Sequence, residues 1–205
     1  MDFETCEARY EQEEYYWGTE PNDLARKTAS LVSTANTTPT VIDIGAGEGR
    51  DVVYFAKQGF DAYATDVSPN GLEKARQLAA AHGVAIETLE ADANELALPE
   101  PVDVVYSCGA IQYIQPENRD AQFQHFQEMT NPGGIHTMFA FVDHPAVPTA
   151  PDWTENEYFY EQGEFESYYS SWNVLERDTL IFENESGGES HQHAAEIVIA
   201  KNPTA

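Results

Sequence analysis

Short apolar runs and longer amphipathic stretches follow one another along the chain. Apolar runs of about four to eight residues are typical of buried strands, whereas amphipathic stretches with the helical period indicate helices. From residue 40 the order is strand, helix, strand, helix, strand, strand, over residues 40–44, 50–58, 61–65, 69–82, 85–89 and 102–107. This alternation predicts a parallel sheet with right-handed crossover connections.

The segments on either side extend the pattern. Pro21-Asn22-Asp23 is predicted to open a helix with one apolar face, which carries Leu24, Ala25, Leu31 and Val32. Further along, the pattern predicts helices over 116–130 and 161–171, strands over 135–142, 172–177 and 194–200, a proline-rich loop over 143–152 and a turn at 186–188. There is no internal repeat, so one domain is expected over residues 1–205.

Charge is the most unusual compositional feature. The chain has 205 residues, of which 36 are Asp or Glu and only 10 are Lys or Arg, and its formal charge at pH 7 is −26. Because the basic residues are scattered and the field repels polyanions, neither nucleic acid nor an anionic membrane surface is expected as a partner. Molar salt would screen the self-repulsion. We therefore expect a halophilic host with a salt-rich interior.

The sequence offers no sign of membrane insertion or export. Its longest apolar runs, such as residues 138–142, fall far short of the ~20 residues that span a bilayer, and the first residues are acidic rather than basic. A cytoplasmic protein is expected. Cys6 and Cys108 have neither a metal-ligand spacing nor a disulfide framework, so reduced thiols and no metal ion are predicted.

A glycine-rich turn after the first strand carries the strongest chemical signal. Residues 41–50 read Val-Ile-Asp-Ile-Gly-Ala-Gly-Glu-Gly-Arg, an apolar strand that runs into a helix. Glycine permits positive φ and close approach of a ligand, and the start of the helix offers free N–H groups. A nucleotide-like ligand is predicted here. Arg50 stands where the dinucleotide fingerprint needs its third glycine, which disfavours NAD.

This Asp-x-Gly-x-Gly-x-Gly segment resembles the first motif of the class I methyltransferases that use S-adenosylmethionine (SAM). Four further matches follow in the family's order, namely Asp66 after the second strand, residues 90–93 (Glu-Ala-Asp-Ala) after the third, residues 102–108 as the fourth motif, and residues 131–134 (Asn-Pro-Gly-Gly) as the turn before the fifth strand. An acid at Asp66 would accept both ribose hydroxyls. The resemblance places Asp92 against the adenine amine.

Pattern and resemblance together predict an α/β fold with a Rossmann-like, doubly wound sheet of seven strands, mostly parallel with an antiparallel last strand, and helices on both faces. Residues 1–35 are expected to form an N-terminal lid and helix, residues 40–142 the SAM-binding core, and residues 143–205 the substrate-side loop and last strands. The predicted contacts to SAM, or to its product S-adenosylhomocysteine (SAH), are Asp43, Gly45, Ala46, Gly47, Gly49, Arg50, Asp66, Val67, Asp92, Ala93 and Cys108, with Tyr16 and Trp17 as a lid.

Three segments resemble the tellurite-resistance-type branch, which is similar to thiopurine-type and other small-molecule methyltransferases. They are residues 15–21 (Tyr-Tyr-Trp-Gly-Thr-Glu-Pro), residues 49–51 (Gly-Arg-Asp) and residues 165–172. The resemblance implies a small acceptor: a thiol, a metalloid oxyanion, or a small amine or hydroxyl compound. Residues 180–183 read Leu-Ile-Phe-Glu where well-known members carry a His-Arg pair, which leaves tellurite and selenite open as substrates.

Candidate catalytic residues lie after the fourth strand and at the start of the last strand. Tyr113 is predicted to point toward the transfer site, and His191 and His193 share one face because they are two residues apart in a strand. One of these histidines, or His144, would take the proton of an oxygen or nitrogen acceptor; solvated or packed side chains fit the same pattern. Aromatic residues are expected to wall the acceptor site, namely Trp153, Tyr158, Phe159 and Tyr160.

Two other functions remain open at this point. A non-catalytic SAM-binding regulatory protein would keep the fold without turnover, and a nucleotide- or NAD-binding enzyme uses a similar sheet. Methylation of nucleic-acid bases is disfavoured, because residues 107–110 read Ser-Cys-Gly-Ala where such enzymes usually carry Asp/Asn-Pro-Pro-Tyr. A monomer and a homodimer are both compatible with the sequence.

Overall fold

The computed structural model describes residues 3–98, 100–151, 153–185 and 190–204 and arranges its strands in one sheet. The strands are β1 (Thr40–Ile44), β2 (Asp61–Asp66), β3 (Glu87–Glu90), β4 (Val102–Cys108), β5 (Thr130–Phe141), β6 (Asn173–Asn184) and β7 (His191–Lys201). Their order across the sheet is β3-β2-β1-β4-β5-β7-β6, and β7 runs antiparallel to both of its neighbours. The predicted fold class is confirmed.

Helices cover both faces of this sheet. They are α1 (Phe3–Tyr10), α2 (Asp23–Ser30), α3 (Arg50–Lys57), α4 (Pro69–His82), α5 (Pro116–Glu128) and α6 (Glu164–Tyr168), with a 3₁₀ helix at Ile111–Tyr113. One core contains Phe55 of α3 and Leu72 of α4, whereas the other contains Phe123 of α5 and Phe165 of α6. Within the described residues, no helix combines the length and apolarity needed to cross a bilayer.

Helix α4 shows how local signals set the boundaries that were predicted. The Ser68 hydroxyl accepts the Gly71 N–H at 2.9 Å, Pro69 occupies the first turn, and Gly83 ends the helix with φ of 69°. The prediction of a helix over residues 69–82 is confirmed. Leu31, by contrast, was predicted on the apolar face of a helix but lies just after the end of α2 at Ser30 and is 42% exposed.

The two ends of the chain differ most from expectation. Helix α1 was not predicted, and the helix expected over 161–171 is confined to Glu164–Tyr168. The strands expected over 172–177 and 194–200 extend to Asn173–Asn184 and His191–Lys201, which pair as one long hairpin. β6 lies at the edge of the sheet and is mostly exposed, so it lacks the apolar run that marks a buried strand. The turn predicted at 186–188 lies outside the described residues.

The Asn-Pro-Gly-Gly segment is also assigned differently. It was predicted as a turn before a strand at 135–142, but it lies inside β5. Thr130 pairs with Val102 and Ile135 pairs with Val104, so the segment forms an irregularity in the ladder. Gly133 adopts φ of 80° there, and a Cβ on Gly134 would lie 2.6 Å from the Thr130 methyl carbon. The glycines therefore shape a bulge within the strand.

Candidate cofactor and acceptor site

The glycine-rich turn is held between β2 and the loop that follows β4. The N–H groups of Gly45 and Ala46 donate to the Thr65 carbonyl oxygen at 2.8 and 2.9 Å. Gly45 has φ of 75°, and a Cβ on it would lie only 2.0 Å from the Cβ of Ala110. The turn therefore requires glycine both for its backbone conformation and for space.

Asp66, at the end of β2, is tied directly to this turn. Its Oδ2 accepts the Gly47 N–H at 2.8 Å, and its Oδ1 accepts the Ser68 N–H at 2.9 Å. Burial raises the pKa of the Asp66 carboxyl, and the two backbone N–H groups oppose that shift. Each carboxylate oxygen keeps further capacity to accept a hydrogen bond. Val67, the next residue, is 42% exposed beside it.

An N-terminal strap, residues 10–22, lies against the glycine turn. A Cβ on Gly47 would meet the Tyr10 hydroxyl at 3.0 Å and the Trp17 ring at 3.7 Å. The Trp17 indole N–H donates to the Tyr10 hydroxyl at 2.8 Å, and its backbone N–H donates to Glu48 Oε2 at 3.0 Å. The Trp17 carbonyl accepts from Arg50 Nη1 at 3.1 Å. The structure thus brings Trp17 and Arg50 together at this turn.

A buried ion pair fastens the strap. Lys74 of α4 pairs with Glu48, and both side chains are almost completely buried. The Lys74 ammonium also donates to the carbonyl oxygens of Gln12 and Glu14, at 2.9 and 2.6 Å, and lies over the Tyr15 ring. Lys74 therefore anchors the strap to α4. The neighbouring Tyr16, by contrast, is 42% exposed on the outer side of the strap.

A second buried polar group connects α2 to the ends of β1 and β4. Asp51 accepts from the Asn22 backbone N–H at 2.9 Å, from its side-chain amide at 2.7 Å, and from the Tyr106 hydroxyl at 3.0 Å. Burial raises the pKa values of Asp43 and Asp51, and in Asp43 the nearby charge of Asp51 adds to the effect. The Cys108 sulfur accepts a hydrogen bond from the Asn22 side-chain amide at 3.1 Å. Burial raises its pKa to about 12, so it stays protonated at neutral pH.

Asn94 organises the other side of the site. Its side-chain N–H donates to the Tyr113 carbonyl at 3.0 Å, and its carbonyl oxygen accepts the Gln115 N–H at 2.7 Å. Asp92 is exposed and accepts from both the backbone and the side-chain N–H of Asn94 at 2.8 Å. Ala93 is partly buried against the core. Asn94 thereby fixes the loop that carries Tyr113.

The two histidines of β7 contact each other at its first residues. His191 Nε2 and His193 Nε2 lie 2.9 Å apart, so one ring donates to the other. His193 is 5% exposed, and its ring lies 4.9 Å from that of Phe141 and 5.8 Å from that of Phe182. In the described part of the chain, no three His, Cys, Asp or Glu side chains are grouped as a metal ion would require.

The aromatic residues after β5 divide into two sets. Trp153 and Phe159 stack at 3.5 Å between centroids, and Trp153 contacts Phe141. Tyr160 is fully buried in the core, where its hydroxyl donates to the Ile111 carbonyl at 2.9 Å. The expectation that Tyr160 walls an acceptor site is therefore wrong. The sequence could not reveal this burial, because the segment is irregular and the alternation that marks buried positions in a strand does not apply to it. Tyr158 is partly buried.

Several residues of this region were missed in the sequence. Glu7 of α1 contacts the Ser68 hydroxyl next to Asp66, and Tyr10 reaches Gly47. Asn22 was seen only as a helix start, where its side chain does accept the Ala25 N–H at 2.9 Å. Asn94 could have been suspected from its place just after the motif at residues 90–93. Glu7 and Tyr10 give no such signal, because α1 has no glycine motif or strand end beside it.

Comparisons with known proteins agree with this geometry. A family model described as "Methyltransferase domain" matches residues 41–134. The probable S-adenosyl-L-methionine-dependent methyltransferase TehB of Haemophilus influenzae (strain 10810) is 26% identical over 152 residues, which is 74% of this chain and 50% of that protein. The chain thus spans about half the length of the curated relatives it matches.

Two solved structures share the fold. The crystal structure of TehB from Haemophilus influenzae superposes with a TM-score of 0.80 at 21% identity, over 96% of this chain and 67% of that one. The N-methyltransferase NodS from Bradyrhizobium japonicum WM9, in complex with SAH, has a TM-score of 0.70 at 16% identity and 98% coverage of both chains. These values show that the fold is shared.

Residues 41–134 thus match a methyltransferase domain, and the chain is similar in sequence to probable SAM-dependent methyltransferases, whose cofactor is SAM. TehB is similar to this chain in sequence and in fold, which agrees with the resemblance to the tellurite-resistance type.

Proposed function

We propose that the protein transfers the methyl group of SAM to a small-molecule acceptor at the carboxyl ends of β1, β4 and β5. The observation that carries the proposal is the Asp66 carboxylate bonded to the Gly47 N–H inside a turn that only glycine can form at Gly45. In open α/β sheets, ligands bind beyond the carboxyl ends of the strands, which is where this turn lies.

The residues of the turn fit the nucleoside part of the cofactor. Asp66 would accept the ribose hydroxyls, Val67 would contact the adenine, and Asp92 with Ala93 would hold its edge. The backbone of the turn would contact the cofactor directly, at Gly45, Ala46, Gly47 and Gly49. Further contacts would come from Asp43, Arg50 and Cys108, and Tyr16 and Trp17 would cover the bound cofactor. The strap at Trp17 supports this placement, because it closes over Gly47 from the solvent side.

The bound cofactor supplies an activated methyl group on a sulfonium. The protein's task is to hold the acceptor in line with it and to exclude water. The acceptor's heteroatom forms a bond to the methyl carbon, the carbon–sulfur bond breaks with its electron pair going to sulfur, and any proton on the acceptor must leave. Cys108 cannot take that proton, since its thiol is itself protonated. Tyr113 would border the acceptor.

His191 and His193 would receive the proton of an oxygen or nitrogen acceptor. A pair of imidazoles with one shared N–H can hold one additional proton and keep the hydrogen bond between the rings. A second additional proton would leave a hydrogen on both Nε2 atoms, so neither could accept and the hydrogen bond between the rings would break. A thiol or metalloid acceptor would need no such base. His144, on the loop after β5, stays a less supported alternative.

The proposal includes the cellular environment of the protein, its partners and the roles of its segments. A charge of −26 supports a cytoplasm rich in salt and disfavours nucleic acid as a partner. Residues 1–35 would act as the lid segment, residues 40–142 as the cofactor core and residues 143–205 as the acceptor side of one domain. Either a monomer or a homodimer could carry out the reaction, since every residue invoked here lies on one chain.

Calorimetric titration with SAM and SAH in molar KCl tests the proposal. The wild type is expected to bind both with micromolar affinity, and Asp66→Asn is expected to weaken binding more than about tenfold, because a charged hydrogen-bond acceptor is lost. Asp61→Asn, at the exposed start of the same strand, is the matched control and should bind normally. If the folded wild type binds NAD(H) but not SAM, the proposal is refuted. Tight SAM binding without turnover of any acceptor would favour a regulatory protein.

A further inference from the structure

One face of the sheet is left partly open beside the proposed transfer site. Helix α2 covers this face as far as Thr137 of β5, whose hydroxyl lies 2.9 Å from that of Thr28. The next β5 residues on the same face are Phe139 and Phe141, and both are only partly buried. On β6, Phe182 points to the same face, is paired with His193 of β7, and is also partly buried.

The rings on this face form one continuous surface. The centroids of Phe139 and Phe141 are 5.7 Å apart, and those of Phe141 and Phe182 are 6.3 Å apart. Trp153 extends the surface from Phe141 at 6.1 Å and stacks on Phe159. The aromatic face is the name used below for the following residues: Phe139, Phe141, Trp153, Phe159, Phe182 and His193.

The aromatic face begins at the end of β4, where a methyl group would be delivered. Phe139 is paired with Cys108, the last residue of that strand, and its carbonyl accepts the Gly109 N–H at 3.0 Å. The Cys108 thiol in turn contacts Asn22, at the end of the strap. A molecule lying on the aromatic face would therefore have one edge beside the cofactor site and the other beside His193.

The charge of this region selects against anions. The positions that point to this face include no Lys or Arg between Phe139 and Phe141 of β5, between Asp178 and Asn184 of β6, or between His191 and Ile197 of β7. Asp178 is exposed on the same face, and Asp143 is exposed just beyond the end of β5. An oxyanion would meet both a negative field and apolar rings, and it would lose hydration without gaining a cationic partner.

We propose that the acceptor is a flat aromatic or heteroaromatic molecule, neutral or cationic, that stacks on the aromatic face with its nucleophilic atom toward Cys108 and Gly109. The inference rests on the proposed methyltransferase function and narrows its acceptor class. Aromatic rings pair through offset or edge-to-face contacts and attract cations at their faces, and this surface offers both geometries at once. A small aliphatic thiol would cover little of the exposed surface of these rings.

The test measures SAH formation in molar KCl with two groups of acceptors. Aniline, naphthol and hydroxyquinoline represent flat aromatic acceptors, whereas mercaptoethanol, selenite and tellurite represent the small polar ones. Calorimetry with naphthol on the SAH-loaded protein reports acceptor binding independently of turnover. We expect binding and turnover within the aromatic group only.

Variants on β6 provide the matched comparison. Phe182→Ala is expected to raise the KM, or the Kd measured by calorimetry, for aromatic acceptors about tenfold, because one stacked ring is lost. Phe182→Leu, which keeps an apolar side chain, should fall between Ala and wild type. Ile181→Ala changes the neighbouring residue on the opposite face, 47% exposed, and should change neither value. The Kd for SAM should stay the same in all three.

The outcomes separate this inference from the function on which it rests. If SAM binds normally and the aromatic molecules are neither bound nor methylated, or are handled equally well by Phe182→Ala, the acceptor assignment is overturned while the methyltransferase proposal stands. Preferential turnover of selenite, tellurite or mercaptoethanol would also overturn it. A folded protein that binds neither SAM nor SAH would remove both proposals.

Discussion

Single residues in the glycine turn are fixed by space as much as by backbone conformation. Gly45 and Gly83 both have positive φ, but a Cβ on Gly45 would lie 2.0 Å from Ala110, whereas one on Gly83 would meet nothing within 4 Å. Gly83→Ala should therefore cost about 1 kcal/mol, the strain of an L-residue in the left-handed region. Gly45→Ala should cost clearly more and abolish SAM binding, as measured by urea unfolding and calorimetry in molar KCl. Equal losses in the two variants would contradict a steric role for Gly45.

His136 gives a residue-scale prediction about pH. Its two ring nitrogens contact the hydroxyls of Thr130 and Tyr169 at 2.8 and 2.9 Å, and burial lowers its pKa to about 3. Between that value and about 6.5, the unfolded chain binds a proton that the folded protein does not. Stability from this group is therefore present above about pH 6.5 and falls by up to ~1.4 kcal/mol per pH unit below it.

Comparing wild type with His136→Gln isolates this effect. Between about pH 7.5 and about pH 5.5 the wild type should lose about 1.4 kcal/mol more than the variant, measured by urea unfolding in molar KCl. Burial raises the pKa values of Asp43, Asp51 and Asp66, which contribute in the opposite sense, but both proteins share them. His82→Gln, at an exposed histidine, serves as the control. Parallel pH profiles for wild type and His136→Gln would show that His136 is not buried as described.

At the scale of elements, predictability followed the strength of local signals. β1, β2, β4 and α4 were placed within about two residues, because apolar runs, a serine cap and a glycine stop all act within a few positions. β6 was cut short at residue 177, since an edge strand need not alternate. Helix α1 was missed because its acidic sequence becomes helical only where Tyr10 and Glu7 find partners on α4 and the turn before it.

The strap leads to a prediction at this scale. Lys74→Met removes the partner of buried Glu48 and the donor for two strap carbonyls, so it should cost about 3 kcal/mol in the free energy of unfolding. Limited proteolysis within residues 11–20 should become faster. Lys57→Met, at an exposed lysine of α3, is the matched control and should change little.

A double variant shows whether the ion pair or the packing matters. Glu48→Gln combined with Lys74→Met removes the uncompensated charge, and it should recover part of the stability that Lys74→Met loses. If the double variant is as unstable as the sum of the single ones, the two side chains are not coupled. Unchanged proteolysis of the strap in Lys74→Met would mean that the strap is held elsewhere.

On the scale of the whole molecule, the site joins parts that are far apart in sequence. Strand ends could be read from the pattern, which is why Asp66 and the glycine turn were foreseen together. Which face Phe182 would share with Phe141 could not be foreseen, because it depends on the register of a hairpin whose length was underestimated. Likewise, Glu7 and Asn94 reach the site through tertiary contacts that no local pattern records.

The net charge makes a prediction about the molecule as a whole. With a charge of −26, repulsion among surface carboxylates opposes the compact state, and the Debye length falls from about 10 Å at 0.1 M salt to about 3 Å at 1 M. The free energy of unfolding should therefore rise steeply between those KCl concentrations. Replacing three exposed acids, Glu87, Glu95 and Glu155, with Gln should stabilise the protein in dilute buffer and flatten its salt dependence. If the triple variant and the wild type respond to KCl alike, general salt effects rather than self-repulsion govern stability, and the argument for a salt-rich host loses its physical basis.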